Sequence, residues 1–200
     1  MKRIIKQAIV LVLIFFFYGW SSAQNNENQV LKTIFQRKSV RHFTGQKVSM
    51  DTLVLLAKAG MASPTAMNQQ PWEFILITRP SLLDSIQDGL PYAKMLSKAG
   101  ACIIVCGNTH KSMLGMPEDF WIQDCSAASE NILLAAESMG IGAGWTSVYP
   151  GKDRISHVRK TLKLPDFIIP LNAISVGFPS GEDKSKDKFK PDNIHKNGWK

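Results

Sequence analysis

The chain has 200 residues, 44% hydrophobic and 20% charged, with a formal net charge of +8. That apolar share can bury a core of single-domain size, which excludes a low-complexity or disordered chain. Three cysteines exclude a disulfide scaffold, and the positive balance points to an anionic partner: nucleic acid, an acidic membrane or a phosphorylated small molecule.

The N-terminus accounts for part of the charge. Lys2, Arg3 and Lys6 precede an unbroken apolar run, Ala8 to Tyr18, and then small residues at Ser21 and Ala23. A basic head, a short apolar stretch and small residues at −3 and −1 make a secretory signal over residues 1–23, cut after Ala23. The run is short of the roughly 20 residues that span a bilayer, so an uncleaved anchor is the alternative. No cysteine follows the run and no twin-Arg pair precedes it, so neither lipidation nor folded export is signalled. Residues 1–23 hold three cations and no acid. The remaining single domain, 24–200, carries 21 Lys and Arg against 16 Asp and Glu, or +5.

Along that domain, Val30, Leu31, Ile34 and Phe35 recur at helical spacing up to Arg37. Ser49 is an N-cap for a helix with Leu53, Leu56, Ala57, Gly60 and Met61 on one face, stopped by Ser63-Pro64. Trp72–Thr78 is a strand. Ser81–Leu90 and Tyr92–Ala99 are short helices broken at Pro91. Ala101–Cys106 is a buried strand. Its two cysteines lie about 13 Å apart, too far for a disulfide. Cys125 falls in a helix, and all three thiols read as free and buried. The four histidines are scattered and no metal-ligand spacing occurs.

Pro117 opens a long helix that reaches Met139, with Gly140 as its stop and Ser126–Ser129 small enough for close packing. Gly144–Tyr149 is a strand, Asp153–Leu162 a helix and Ile168–Val176 a strand. The last twenty residues are polar and lysine-rich. Helices and strands do not alternate as βαβ units, so the class is α+β.

Four clusters carry chemistry. Arg37-Lys38-Ser39-Val40-Arg41 puts three cations and a hydroxyl in five residues, a compact anion site or a solvated basic turn. Ser63–Trp72 (SPTAMNQQPW) is a loop stiffened by two prolines. It presents Thr65, Asn68 and Gln70, whose groups suit the edge of a heteroaromatic ring. Gly140–Pro150 (GIGAGWTSVYP) is glycine-rich, but its order is helix, glycines, strand, the reverse of a dinucleotide fingerprint. Lys184, Lys186, Lys188 and Lys190 alternate. An extended chain sets neighbouring ammonium groups on one side roughly 7 Å apart, close enough for two to clasp one phosphate.

As an ordered set, these motifs resemble the nitroreductase family of FMN-dependent oxidoreductases. The set runs from Arg37-x-Ser39-x-Arg41 and the SPTAMNQQPW loop through Trp121 and Asp124 in the central helix. It continues with the glycine-rich segment, Val176-Gly177-Phe178-Pro179, and the basic stretch before His195 and Trp199. The resemblance implies a mixed, mainly antiparallel sheet flanked by helices, in a domain-swapped homodimer with FMN at the interface.

It also implies roles. Arg37, Lys38 and Ser39 face the FMN phosphate and ribityl chain, and Arg41 approaches the N1/O2 edge of the ring. Pro64, Thr65 and Asn68 reach the flavin from the partner chain. Trp145, Thr146 and Ser147 line it with a backbone N–H near N5, and Lys186 and Lys188 complete the phosphate clamp. Thr65 stands where the family often has Ser, Ser147 where relatives often have Gly, and Lys188 where Arg is common. The implied reaction passes electrons from NADH or NADPH to nitroaromatic, quinone or similar flat acceptors in alternating turns. No catalytic acid, base or metal is needed, because the cofactor does the bond-making.

Two other readings stay open on sequence. An exported flavin-binding relay would do without NAD(P)H, which is scarce outside the cytoplasm. A basic nucleic-acid module is disfavoured, because no binding motif or stacking aromatics accompany the lysines.

Overall fold

The computed structural model describes residues 28–111 and 120–199. The proposed leader, residues 1–23, and Pro117 lie outside them. The chain divides into two units at Gln36/Arg37.

In the first unit, residues 28–36 form helix α1. Thr33 Oγ1 donates to the carbonyl of Gln29 at 3.0 Å. The stripe read from the sequence, Val30, Leu31, Ile34 and Phe35, is exposed. Among the described residues no helix is long and apolar enough to cross a membrane.

The second unit is built on four strands: β1 (Trp72–Ile77), β2 (Ala101–Asn108), β3 (Gly142–Ser147) and β4 (Ile168–Gly177). They lie in the order β1-β2-β4-β3, and all three pairings are antiparallel. The α+β class with a mainly antiparallel sheet is therefore what the chain forms.

Both faces of the sheet are covered. Helices α2 (Met50–Met61) and α5 (Phe120–Ser138) pack on one, where Leu53, Leu56, Cys125, Ile132 and Ala136 meet Ile103, Val105, Ile174 and Val176. Helices α3 (Pro80–Asp88), α4 (Leu96–Ala99) and α6 (Lys152–Leu162) pack on the other, where Ile86, Leu90, Leu96 and Val158 meet Cys102, Ile104, Cys106 and Ala173. Alternate residues of β2 thus point into two different cores, which is why it reads as an unbroken apolar run. Burying each such Leu or Ile contributes about 1.5–3 kcal/mol.

Local chemistry sets the element ends. Ser49 Oγ accepts from the Thr52 N–H at 3.1 Å and caps α2 as its sequence predicts. Met61, expected on the buried face, is exposed at the last turn. Gly60 lets α2 approach α5, since a Cβ there would lie 3.1 Å from Ile132. Helix α4 is shorter than the expected Tyr92–Ala99, because Pro91 to Met95 is spent in turns that leave Tyr92 at the surface. Gly140, with φ of 69°, ends the α5 segment in the left-handed conformation that glycine tolerates.

Candidate functional site

The basic segment after α1 lies along the edge of the sheet. The Val40 N–H donates to the Ala143 carbonyl of β3 at 2.9 Å, and Val40 is fully buried. A Cβ on Gly142 would sit 2.8 Å from Val40 Cγ1, and one on Gly144 2.7 Å from the Val40 carbonyl. The glycines of β3 are therefore spaces for this segment. Burying Val40 holds the alternating Arg37, Lys38, Ser39 and Arg41 around it.

Two glutamates on α5 hold the first two cations. Arg37 Nε meets Glu130 Oε1 at 3.0 Å, and Lys38 Nζ meets Glu137 Oε1 at 3.0 Å and Oε2 at 3.4 Å. Arg41 is exposed, but its backbone is fixed. Asp183 Oδ2 accepts from the Arg41 N–H at 2.9 Å and the His42 N–H at 3.0 Å, while Oδ1 lies 3.2 Å from His42 Nδ1. Burial works to raise the Asp183 pKa. The two backbone donors and His42 outweigh it and hold this carboxyl below the usual aspartate value. Thr44 donates to the Phe178 carbonyl and Ser180 to that of His42, so the chain after β4 runs beside residues 41–44.

Arg41 opens on a cleft of about 660 Å³ shared with His42, Tyr92, Lys94, Met95 and Lys98. Lys94 and Lys98 were not singled out from sequence. They sit on and just before α4, and only the fold carries them to Arg41. Lys186 and Lys188 follow Asp183 in the exposed, irregular tail. The two basic ends of the domain thus approach each other through Asp183, an acid hidden among lysines.

Pro64, Thr65 and Asn68 lie in a separate loop. Asp124 Oδ1, on α5, accepts from the Ala66 N–H at 3.0 Å. Thr65 Oγ1 accepts from the Gln70 N–H at 3.2 Å, and Gln70 Nε2 donates to Asn68 Oδ1 at 2.9 Å. Met67, Asn68 and Gln70 have φ of 49°, 57° and 50°. Three left-handed non-glycine residues in four positions is a backbone held against its preference, a pattern that gathers at binding sites.

Along β3 the side chains alternate. Trp145 and Ser147 share the α5 face, where Trp145 Nε1 donates to Ser147 Oγ at 3.3 Å. Thr146 is buried on the opposite face, so only its backbone is available beside Trp145. Beneath them the buried Asn172 Nδ2 donates to Ser129 Oγ at 2.8 Å and ties β4 to α5.

The donor set fits a flat ligand that ends in a phosphate. Arg37 and Lys38 lie against α5 through Glu130 and Glu137, while Arg41 opens on the separate cleft beside α4, so the segment offers its cations at two places, and an aromatic and a hydroxyl line the neighbouring strand. The three cysteines take no part: all are buried, and burial pushes the Cys106 thiol up to about 12 and the other two higher still.

The family model for nitroreductases matches residues 34–178. An Archaeoglobus fulgidus protein named "Putative NADH dehydrogenase/NAD(P)H nitroreductase" is 38% identical over 174 residues, which is 86% of this chain and 99% of that protein. A Parabacteroides distasonis crystal structure bearing the same name has a TM-score of 0.81 and 50% identity, covering 86% of this chain and 99% of that one. A Desulfovibrio desulfuricans structure, a "putative nitroreductase in complex with fmn", has a TM-score of 0.72 and 25% identity, covering 86% of this chain and 98% of that one. The chain belongs to the nitroreductase family and is an oxidoreductase of that type.

Proposed function

We propose that the chain binds FMN at the edge of β3 and works as an NAD(P)H-dependent nitroreductase. The observation that carries this is the meeting of three segments: residues 37–41 bonded to Ala143, the β3 face of Trp145 and Ser147, and the tail pinned at Arg41 by Asp183. When bound, FMN supplies two-electron chemistry, taking hydride from NADH or NADPH and passing it to a nitroaromatic, quinone or similar flat acceptor in alternating turns.

The chain's residues supply position and charge. Arg37, Lys38, Ser39, Lys186 and Lys188 would hold the phosphate, and Arg41 would place a fixed positive charge beside the ring, favouring an electron-rich state. Trp145 and Ser147 would present a flat apolar wall with one hydroxyl, and the Thr146 backbone would contribute only its polar main-chain atoms.

The working form is a homodimer, with the Pro64–Asn68 loop reaching the flavin of the second copy. Within one chain that loop is anchored at Asp124 and Lys38 at Glu137, thirteen residues apart on α5, or about 20 Å along the helix. Exposed Phe189, Ile194 and Trp199 of the tail, and the α1 stripe, provide the apolar surface a second copy would cover. Domain swapping by the terminal segments is part of this proposal.

The leader read in residues 1–23 supports export, to the periplasm if the signal is cleaved and to the inner membrane if it is not. N-terminal sequencing of the secreted-fraction protein distinguishes the two: a start at Gln24 means cleavage. The flavin reading is tested by the visible absorption spectrum of the purified chain. One FMN per chain is expected, and a colourless protein that ignores added FMN defeats the proposal. Stopped-flow bleaching with anaerobic NADH or NADPH then identifies the donor. Failure to bleach with either favours the relay that the leader raised.

A further inference from the structure

Glu130 and Glu137 are seven residues apart on α5. Two helical turns bring them back to nearly the same face, so their carboxylates point the same way. Each takes one of the first two cations of the basic segment. The geometry of the Arg37 pair is particular. Glu130 contacts Nε at 3.0 Å, the inner nitrogen of the guanidinium. The outer edge, with its two terminal nitrogens, is the fork that grips phosphate oxygens two at a time. The nearest approach of Glu130 is to Nε and not to that edge. The Arg37 side chain is only 17% exposed, so it is already held down along α5. Lys38 shares its ammonium between both oxygens of Glu137, a cradle that fixes the nitrogen while leaving part of its donor capacity facing out.

We infer that Glu130 is a positioning residue for a phosphate-bearing ligand, acting through Arg37. This rests on the flavin reading above and extends it to α5. A free arginine or lysine side chain loses substantial rotamer freedom when it closes on an anion. Here the glutamates impose that loss during folding, so the ligand meets cations whose side chains are already restrained. The cost is one negative charge beside each cation. Glu130, at 47% exposed, keeps much of its field in water, where repulsion of a phosphate is weak. For Glu130 to act in this way, pre-organisation must outweigh this weakened repulsion at Arg37, which the FMN affinity of the Glu130 variants measures.

The test compares FMN with riboflavin, which shares the ring and lacks the phosphate. Binding of both is followed by flavin fluorescence after endogenous flavin is removed from the full chain. Glu130→Ala should weaken FMN binding roughly tenfold, as expected for one charged contact misplaced, and leave riboflavin unchanged. Glu130→Gln keeps an acceptor for Nε without the charge and should recover most of the loss. Equal weakening of both flavins by Glu130→Ala overturns the proposal, because a general packing defect does not see the phosphate. Tighter FMN binding by Glu130→Ala also overturns it, and shows that the glutamate competes with the ligand. Wild-type protein that binds neither flavin overturns the flavin reading itself, and is told apart by failing before any variant is made.

Discussion

Asp183 bonds the backbone N–H of Arg41 at 2.9 Å across 142 residues of sequence. This contact and its companion at His42 bring the C-terminal basic tail to the N-terminal basic segment. The carboxyl accepts two main-chain donors, so it orients the backbone and does not engage the Arg41 guanidinium, which reaches the Ser39 carbonyl at 3.5 Å and lines the cleft.

That role has a pH signature. The Asp183 carboxyl is held below its ordinary value in the folded chain, so it stabilises the fold above the unfolded aspartate value of about 4. The contribution disappears as pH falls through the lower, folded value. Urea midpoints measured from pH 7 to pH 3 should fall more steeply for the wild type than for Asp183→Asn, and parallel curves would remove Asp183 from this account. At pH 7 the substitution should cost about 1 kcal/mol.

Arg37→Ala should separate phosphate from ring. FMN should leak from the protein during purification, with affinity reduced at least tenfold on the scale of a charged bidentate contact. Riboflavin affinity should not move. An unchanged FMN dissociation constant would take Arg37 out of the phosphate site.

Two glycines should behave oppositely on replacement by alanine. At Gly177 the added Cβ would lie 1.9 Å from the Ala99 carbonyl oxygen and 2.8 Å from Phe43, where the obstacle is backbone. The cost is expected at about 3 kcal/mol or more. At Gly151 the obstacle is the end of the Arg154 side chain, 2.3 Å from the added carbon. That chain can swing away, so Gly151→Ala should cost under about 1 kcal/mol. Denaturant midpoints decide, and similar losses at both sites would refute the distinction.

The thiols give a simple count. Cys102, Cys106 and Cys125 are buried, and burial holds each well above the ordinary thiol range. A thiol reagent at pH 8 should label none in the native protein and all three in denaturant. Labelling of the native chain at the rate of a free thiol would contradict the packing of β2 between its two cores.

Much of this was legible in sequence because it is local. Ser49 announces α2 through its own hydroxyl, and Ala101–Cys106 announces β2 through unbroken apolarity. The strand runs Gly142–Ser147 and not Gly144–Tyr149; its first glycines carry no strand propensity, so sequence alone places its start too late. Their purpose is the room they leave for Val40, more than a hundred residues away. Asp183 was lost in a lysine run, and nothing in the spacing of Glu130 and Glu137 says which cations they hold. The motif order located Arg37 and Trp145. It gave Asp124 no role, although Asp124 anchors the loop that carries Thr65 and Asn68. The unforeseen parts are all contacts between distant segments, where a residue's partner is chosen by the fold.

The clamp at Asp183 also sets an order of events in synthesis. Residues 37–41 leave the ribosome early, yet the main-chain geometry at Arg41 is fixed only when a residue near the other end becomes available. The backbone geometry at Arg41 and His42 therefore waits on the arrival of Asp183, late in the chain. A chain released before residue 183 would lack the contact that fixes the backbone of Arg41 and His42, whatever its fold up to that point.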